Sequence, residues 1–191
     1  MPPLTERVDH ALLLAMKWHR DQVRKSTEIP YVSHLWAVAG IVAEMGGSED
    51  EIIAALLHDA AEDQGGLATL AEIHAIFGPT VSDIVESCSD TFETPKPPWQ
   101  ERKEDYIAHL AEATPSALRV SLADKLHNAR TIVFDLRQNG NAIFEKFNGG
   151  RTGTLWYYRS LALVMKERCP ESPWADELTR IVYDMHRLSG E

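Results

Sequence analysis

Three features of this 191-residue sequence predict an all-α fold of about eight to ten helices. Apolar residues recur every three or four positions along most of the chain, the spacing of a helix face. Val and Ile are plentiful, yet no run alternates with the period of two that a half-buried strand requires. Cap and breaker residues then divide the chain into helix-length pieces. At 44% hydrophobic, 191 residues provide a full core for one domain spanning 1–191, with its core motifs in 18–165 and its C-terminal helices in 150–191.

Thr5 reads as an N-cap for a helix over Arg7 to Arg20, with Val8, Ala11, Leu12 and Ala15 on one face. Gln22 to Pro30 is polar and ends in proline, so it reads as a loop. A second helix starts near Tyr31 and runs through Val38, Ile41 and Met45 to Gly46-Gly47. Ser48 followed by Glu51 has the spacing of a capping box and opens a third helix. That helix is expected to carry His58 and Asp59 near its end and to break at Gln64-Gly65-Gly66. Short helices follow over Thr69–Phe77 and Val81–Cys88, separated by Gly78-Pro79. Thr91–Pro98 holds three prolines and reads as a flexible loop. Trp99–Leu110 is an amphipathic helix, and Pro115 to about Arg137 a long one terminated by Asn139-Gly140-Asn141. The last two helices are expected from about Thr154 to Arg168 and Trp174 to Leu188.

The formal net charge of −10 argues against a protein that coats nucleic acid, because such binding draws on basic patches. It leaves room for a small phosphorylated substrate held by a local positive site. No apolar stretch approaches the roughly 20 residues of a membrane span. The N-terminus lacks the basic-then-apolar pattern of a signal peptide. Cys88 and Cys169 are the only cysteines, far apart and outside any CxxC, so a cytoplasmic location is expected. Oligomeric state is not readable from these features.

The most informative residues are His58-Asp59, in the run Ala54-Ala55-Leu56-Leu57-His58-Asp59-Ala60-Ala61-Glu62-Asp63. Imidazole nitrogen and carboxylate oxygen together suit manganese, iron or zinc. The preceding apolar run predicts that the pair is buried, and a buried charge costs several kcal/mol without a partner. His34 upstream and Asp124 downstream complete a two-His, two-Asp set in the order H…HD…D. Such a set points to metal-assisted hydrolysis of a phosphate ester. Glu62 and Asp63 stand one turn beyond, and helical geometry puts Glu62 on the side of His58 and Asp59. Carboxylates there can orient water, accept a proton or protonate a leaving group. Arg24-Lys25-Ser26 could neutralise phosphate or stack on a base. Asn128 and Thr131 share the face of Asp124 and are candidates for base or sugar contacts, whereas Lys125 and Arg130 are expected to point elsewhere.

Several of these segments resemble the HD-domain metal-dependent phosphohydrolases, and within them the alarmone (p)ppGpp hydrolases of RelA/SpoT-type enzymes and stand-alone small hydrolases. The similarity is carried by Arg24-Lys25-Ser26, Pro30-Tyr31-Val32-Ser33-His34, the His58-Asp59…Glu62-Asp63 segment, Phe77-Gly78, and Leu122-Ala123-Asp124-Lys125-Leu126-His127-Asn128-Ala129-Arg130-Thr131, within roughly residues 8–165. It implies one Mn²⁺ held by His34, His58, Asp59 and Asp124, with Glu62 and Asp63 as catalytic acids. It also implies nucleotide contacts from Arg24, Lys25, Ser26, Asn128, Thr131 and Tyr157. The implied reaction converts ppGpp or pppGpp to GDP or GTP and pyrophosphate. Three positions depart from the family pattern: Ser121 where Lys is common, Leu35 where Pro is usual, and Gln64-Gly65-Gly66 in place of a Thr-rich segment. None is a metal ligand, so they bear on substrate identity. The alternatives are (p)ppApp, another nucleotide or phosphomonoester, and a catalytically silent alarmone-binding module.

Overall fold

The computed structural model describes residues 3–93 and 95–191, and among these the chain is all-α. Two compact units comprise Met1–Lys96 with Ala113–Ala123, and Pro97–Glu112 with Asp124–Glu191. The first contains α1 (Glu6–Trp18), α2 (Val32–Glu44), α3 (Glu49–Leu57), α4 (Ala60–Gln64), α5 (Leu67–Phe77) and α6 (Pro79–Cys88). The second contains α7 (Trp99–Glu112), a 3-10 segment (Gly140–Lys146), α9 (Gly150–Arg168) and α10 (Pro173–Ser189). Helix α8 (Pro115–Asn139) begins in the first unit and continues into the second. The ten α-helices among the described residues fall within the expected eight to ten. One isolated antiparallel bridge, Val23 to Pro30, closes the loop before α2. No described helix is long and apolar enough to cross a membrane.

In the first unit α3 is the central rod. Glu51 to Leu57 are all buried, so this helix is covered on every side, by α1, α2 and α6. Helix α1 contributes Ala11, Leu14 and Ala15, α2 contributes Leu35, Val38 and Val42, and α6 contributes Val81, Ile84 and Val85. The capping box at Ser48 forms as the sequence predicts: Ser48 Oγ accepts from the Glu51 amide at 3.3 Å, and Glu51 Oε2 accepts from the Ser48 amide at 2.6 Å. The other oxygen of Glu51 takes the Arg119 guanidinium from α8, within the same unit.

Burial pushes the Glu51 carboxyl up, but hydrogen bonds from Arg119, Ser116 and the Ser48 amide outweigh it and hold the group below its ordinary value of 4.5. A carboxyl with a lowered folded-state pKa stabilises the fold above its unfolded pKa and loses that contribution as pH falls. Replacing Arg119 with Met is therefore expected to cost roughly 2 kcal/mol at neutral pH, less than for a fully buried pair because Arg119 is partly exposed. Thermal unfolding followed from pH 7 to pH 3 should show the variant and parent converging as Glu51 protonates.

In the second unit α9 packs against α7, α10 and the 3-10 segment. The sequence signals place the start of α9 near Thr154, but the helix begins at Gly150. Glycine reads as a breaker there, yet its role is close packing: a Cβ on Gly149 would lie 2.6 Å from the Trp99 ring, and one on Gly153 would lie 3.0 Å from it. A 3-10 turn follows α8, where Asn139-Gly140-Asn141 reads as a plain terminator.

A second difference bears on function. The expected third helix divides at His58-Asp59. Helix α3 ends at Leu57, and α4 starts at Ala60. His58 Nδ1 donates to the Ala55 carbonyl at 2.8 Å, competing for the acceptor that the Asp59 amide would use in an unbroken helix. The joint puts both side chains at a corner rather than along a continuous helix face.

Candidate metal centre

That corner meets the first turn of α2. Tyr31 and Pro30 precede α2, and His34 lies one turn in, 1% exposed. His58 is likewise 1% exposed, and its ring meets that of His34 edge-on at 5.3 Å. His58 Nε2 lies 3.1 Å from Asp59 Oδ2, and His34 Nε2 lies 3.6 Å from the same oxygen. Ligand atoms of the three residues all fall within 4.8 Å of one another.

The donor set fits a divalent cation. The Ala55 carbonyl can only accept, so the hydrogen of the neutral His58 ring sits on Nδ1 and the Nε2 lone pair faces Asp59. Atoms bound about 2.1 Å from one ion lie no more than about 4.2 Å apart. Both nitrogen–oxygen separations satisfy that limit. A backbone carbonyl that fixes the tautomer of a ligating imidazole is the usual outer support of such sites.

Tyr31 supplies a second support. Its hydroxyl donates to Asp59 Oδ2 at 2.6 Å. Its ring stacks on buried His19 at 5.3 Å and meets His34 edge-on at 5.6 Å. The Arg24 guanidinium lies 5.9 Å from the ring centre on the loop side. This places the expected phosphate-binding Arg24 one ring away from the His34, His58 and Asp59 group. Lys25 and Ser26 continue the loop, both exposed, and Ser26 adopts a left-handed backbone with φ of 59°. Replacing Tyr31 with Phe keeps the packing and removes the hydrogen bond. The expected result is metal affinity weaker by roughly 10- to 100-fold, read by calorimetric titration.

The two acidic residues beyond the corner have separate partners. Glu62 Oε2 accepts from the Asp90 amide at 2.9 Å and Oε1 from Lys96 Nζ at 2.8 Å. Its side chain forms part of the wall of a cavity of about 550 Å³ with Leu67, Phe92 and Lys96. Asp63 Oδ2 accepts from Gln22 Nε2 at 2.8 Å. Loss of hydration, then the Asp59 and Glu62 charges, hold the Asp63 carboxyl above its ordinary value, although the residue is exposed at the surface. The Gln22 hydrogen bond and His19 act in the opposite direction.

Asp124, Asn128, Thr131 and Tyr157 belong to the second unit. Asp124 is buried on α8, where Asn128 Nδ2 donates to its Oδ1 at 2.5 Å, as the shared helix face predicts. The Thr131 hydroxyl donates to the His127 carbonyl at 3.0 Å. Tyr157 is 7% exposed, with Trp99 edge-on at 6.2 Å and Lys103 Nζ 5.1 Å from its ring centre.

Lys125 requires a correction. The sequence reading turns it away from Asp124, yet its ammonium lies 2.7 Å from Asp124 Oδ2 and 4.8 Å from the Tyr106 ring centre. Burial pushes the Lys125 pKa down, but Asp124, Tyr106 and Tyr157 more than offset this and raise it well above 10.5, so the lysine stays charged. Arg130 does point elsewhere, toward Glu177 at 3.9 Å. His19, Gln22, Lys96 and the Tyr31 hydroxyl also face the site residues, with no sequence signal that marks them as such. Of these, Tyr31 alone stood inside a quoted motif.

The HD domain family matches residues 11–155, and the chain belongs to that family. The family implies a divalent metal, and the His34, His58 and Asp59 group is present to hold one. The guanosine-3′,5′-bis(diphosphate) 3′-pyrophosphohydrolase MESH1 of Xenopus tropicalis is 39% identical over 132 residues, which is 65% of this chain and 71% of that protein. Human MESH1 is 39% identical over 121 residues, 62% of this chain and 65% of its own length, just under two thirds. The bifunctional (p)ppGpp synthase/hydrolase SpoT of Escherichia coli K12 is 35% identical over 130 residues, 66% of this chain and 18% of that protein. A solved structure of a metazoan ortholog of SpoT that hydrolyzes ppGpp superposes with a TM-score of 0.78 at 27% identity, covering 100% of this chain and 99% of that one.

Proposed function

We propose that this protein is a Mn²⁺-dependent 3′-pyrophosphohydrolase of guanosine alarmones, converting ppGpp to GDP and pppGpp to GTP with release of pyrophosphate. The observation that carries the proposal is the group of buried His34 and His58 with half-buried Asp59, with the acidic Glu62 and Asp63 one turn further along the chain. The relatives at 39% and 35% identity are named for this activity, which supports the choice of substrate. Residues 1–191 act as a single HD-type domain, in keeping with a family match that runs through both units. A cytoplasmic setting agrees with the two cysteines, which are thiols.

His34, His58 and Asp59 hold the ion, and Asp124 joins them as the fourth ligand, an assignment carried by its place in the Leu122–Thr131 motif. Once bound, a divalent cation lowers the pKa of water and offsets charge developing on phosphate oxygen. Glu62 and Asp63 orient the attacking water and handle its proton. Arg24 and Lys25 neutralise the phosphates, and Ser26 borders them. Asn128, Thr131 and Tyr157 contact the nucleoside.

A substrate panel tests this directly. Purified protein is offered ppGpp, ppApp and a 5′-nucleotide with Mn²⁺, Zn²⁺ or Mg²⁺, and the released product is identified. The expected result is fastest turnover of ppGpp with Mn²⁺ and pyrophosphate as product. Orthophosphate from the 5′-nucleotide would instead mark a general phosphomonoesterase. Alarmone binding without turnover under any metal would mark a silent binding module.

A further inference from the structure

We infer that Gln22 is a positioning residue for Asp63, locked in one amide orientation by the buried imidazole of His19. The inference rests on the role proposed above for Asp63. Gln22 lies in the loop after α1, and both of its amide atoms are engaged. His19 Nδ1 lies 2.6 Å from Gln22 Oε1, and Gln64 Nε2 donates to the same oxygen at 2.6 Å. Gln22 Nε2 donates to Asp63 Oδ2 at 2.8 Å.

The direction of each bond follows from the chemistry. The Asp63 carboxylate can only accept, so the Gln22 atom facing it is the amide nitrogen, and the atom facing Gln64 Nε2 is the carbonyl oxygen. That oxygen then accepts from His19 Nδ1, which carries the hydrogen. The Gln22 amide nitrogen is left to face Asp63, where it donates to a carboxylate oxygen. His19 is 1% exposed and stacked on Tyr31, so its ring is held by packing. Among the described residues its buried Nε2 finds no hydrogen-bond partner, so its polar tie runs through Nδ1. The same Tyr31 donates to Asp59. Thus one buried imidazole braces a metal ligand through Tyr31 and the proposed acid–base residue through Gln22. An amide donor on Oδ2 fixes the Asp63 side chain while leaving Oδ1 for water.

Gln22→Glu is the decisive variant. It is nearly isosteric and retains oxygens that can accept from His19 and Gln64. At neutral pH it presents no donor to Asp63. The expected result is kcat lower by roughly 10- to 100-fold with KM and Mn²⁺ affinity unchanged. Gln22→His, which can offer a ring N–H, should recover part of the loss. Adding Gln22→Glu to Asp63→Asn should lower the rate no further. Gln22→Glu with parental kcat beside an inactive Asp63→Asn would overturn the inference and leave the proposed function standing. An Asp63→Asn protein that turns over at the parental rate would overturn the inference together with the catalytic role proposed for Asp63. A kcat loss accompanied by an equal loss of Mn²⁺ affinity would show that Gln22 merely supports the fold of the corner, and would also overturn the inference.

Discussion

Replacing Glu62 and Asp63 together with alanine is expected to abolish pyrophosphate release from ppGpp while Mn²⁺ still binds at one ion per chain. Neither residue belongs to the His34, His58 and Asp59 group, and each is held by its own partners: Lys96 and the Asp90 amide for Glu62, Gln22 for Asp63. Their removal takes away the groups that handle protons and leaves the ion-binding corner in place. General acid–base groups contribute about 10²- to 10⁴-fold each, so either single substitution should already be near the limit of detection in a steady-state assay. The control is calorimetric titration of Mn²⁺ into the same double variant. Parental turnover by that variant would show that these carboxylates have no part in the chemistry.

His58→Ala is expected to lose both the ion and the activity. The variant deletes a nitrogen 3.1 Å from Asp59 Oδ2 and the tie from the imidazole to the Ala55 carbonyl. A ligand that binds only the folded chain stabilises it by about 2.7 kcal/mol at a hundred times its dissociation constant. The parent should therefore melt at rising temperature as Mn²⁺ is added, and His58→Ala should not respond. Because the corner is buried, the variant should also melt lower than the parent without metal, by the cost of a cavity between α2 and α3. A His58→Ala protein with an undiminished Mn²⁺ response would place the ion elsewhere.

These residues differ in how readable they were from the sequence. Helix caps and apolar spacing are local, so Thr5 and the Ser48–Glu51 box marked the starts of α1 and α3, and Gly78-Pro79 marked the boundary of α5 and α6, although Pro79 opens α6 instead of preceding it. His58 and Asp59 declared themselves because two ionisable residues follow four apolar ones, all of which are buried. The break between α3 and α4 did not, because it arises from an imidazole competing for a backbone carbonyl, and no composition signal marks that. Gln22 and Asp63 are 41 residues apart, and only the packing of α1 beside α4 brings them together. Lys125 was misjudged for a different reason. A helical wheel places residue i+1 about 100° from Asp124, but a four-carbon stem can bend the ammonium back to its neighbour. Position along a helix predicts where the Cα–Cβ bond points, and the ends of long flexible side chains escape that rule. Gly149 misled in the opposite sense, since a glycine required by the Trp99 ring looks the same as one that ends a helix.

Hydrolysis in ¹⁸O-labelled water, followed by ³¹P NMR, tests the proposed chemistry most directly. With ppGpp and Mn²⁺, attack at the phosphorus attached to the 3′ oxygen puts one labelled oxygen in pyrophosphate and leaves an unlabelled 3′-hydroxyl on GDP. That is the predicted result. Label appearing in orthophosphate would mean that the terminal phosphorus is attacked, contradicting the assignment of this chain as a 3′-pyrophosphohydrolase.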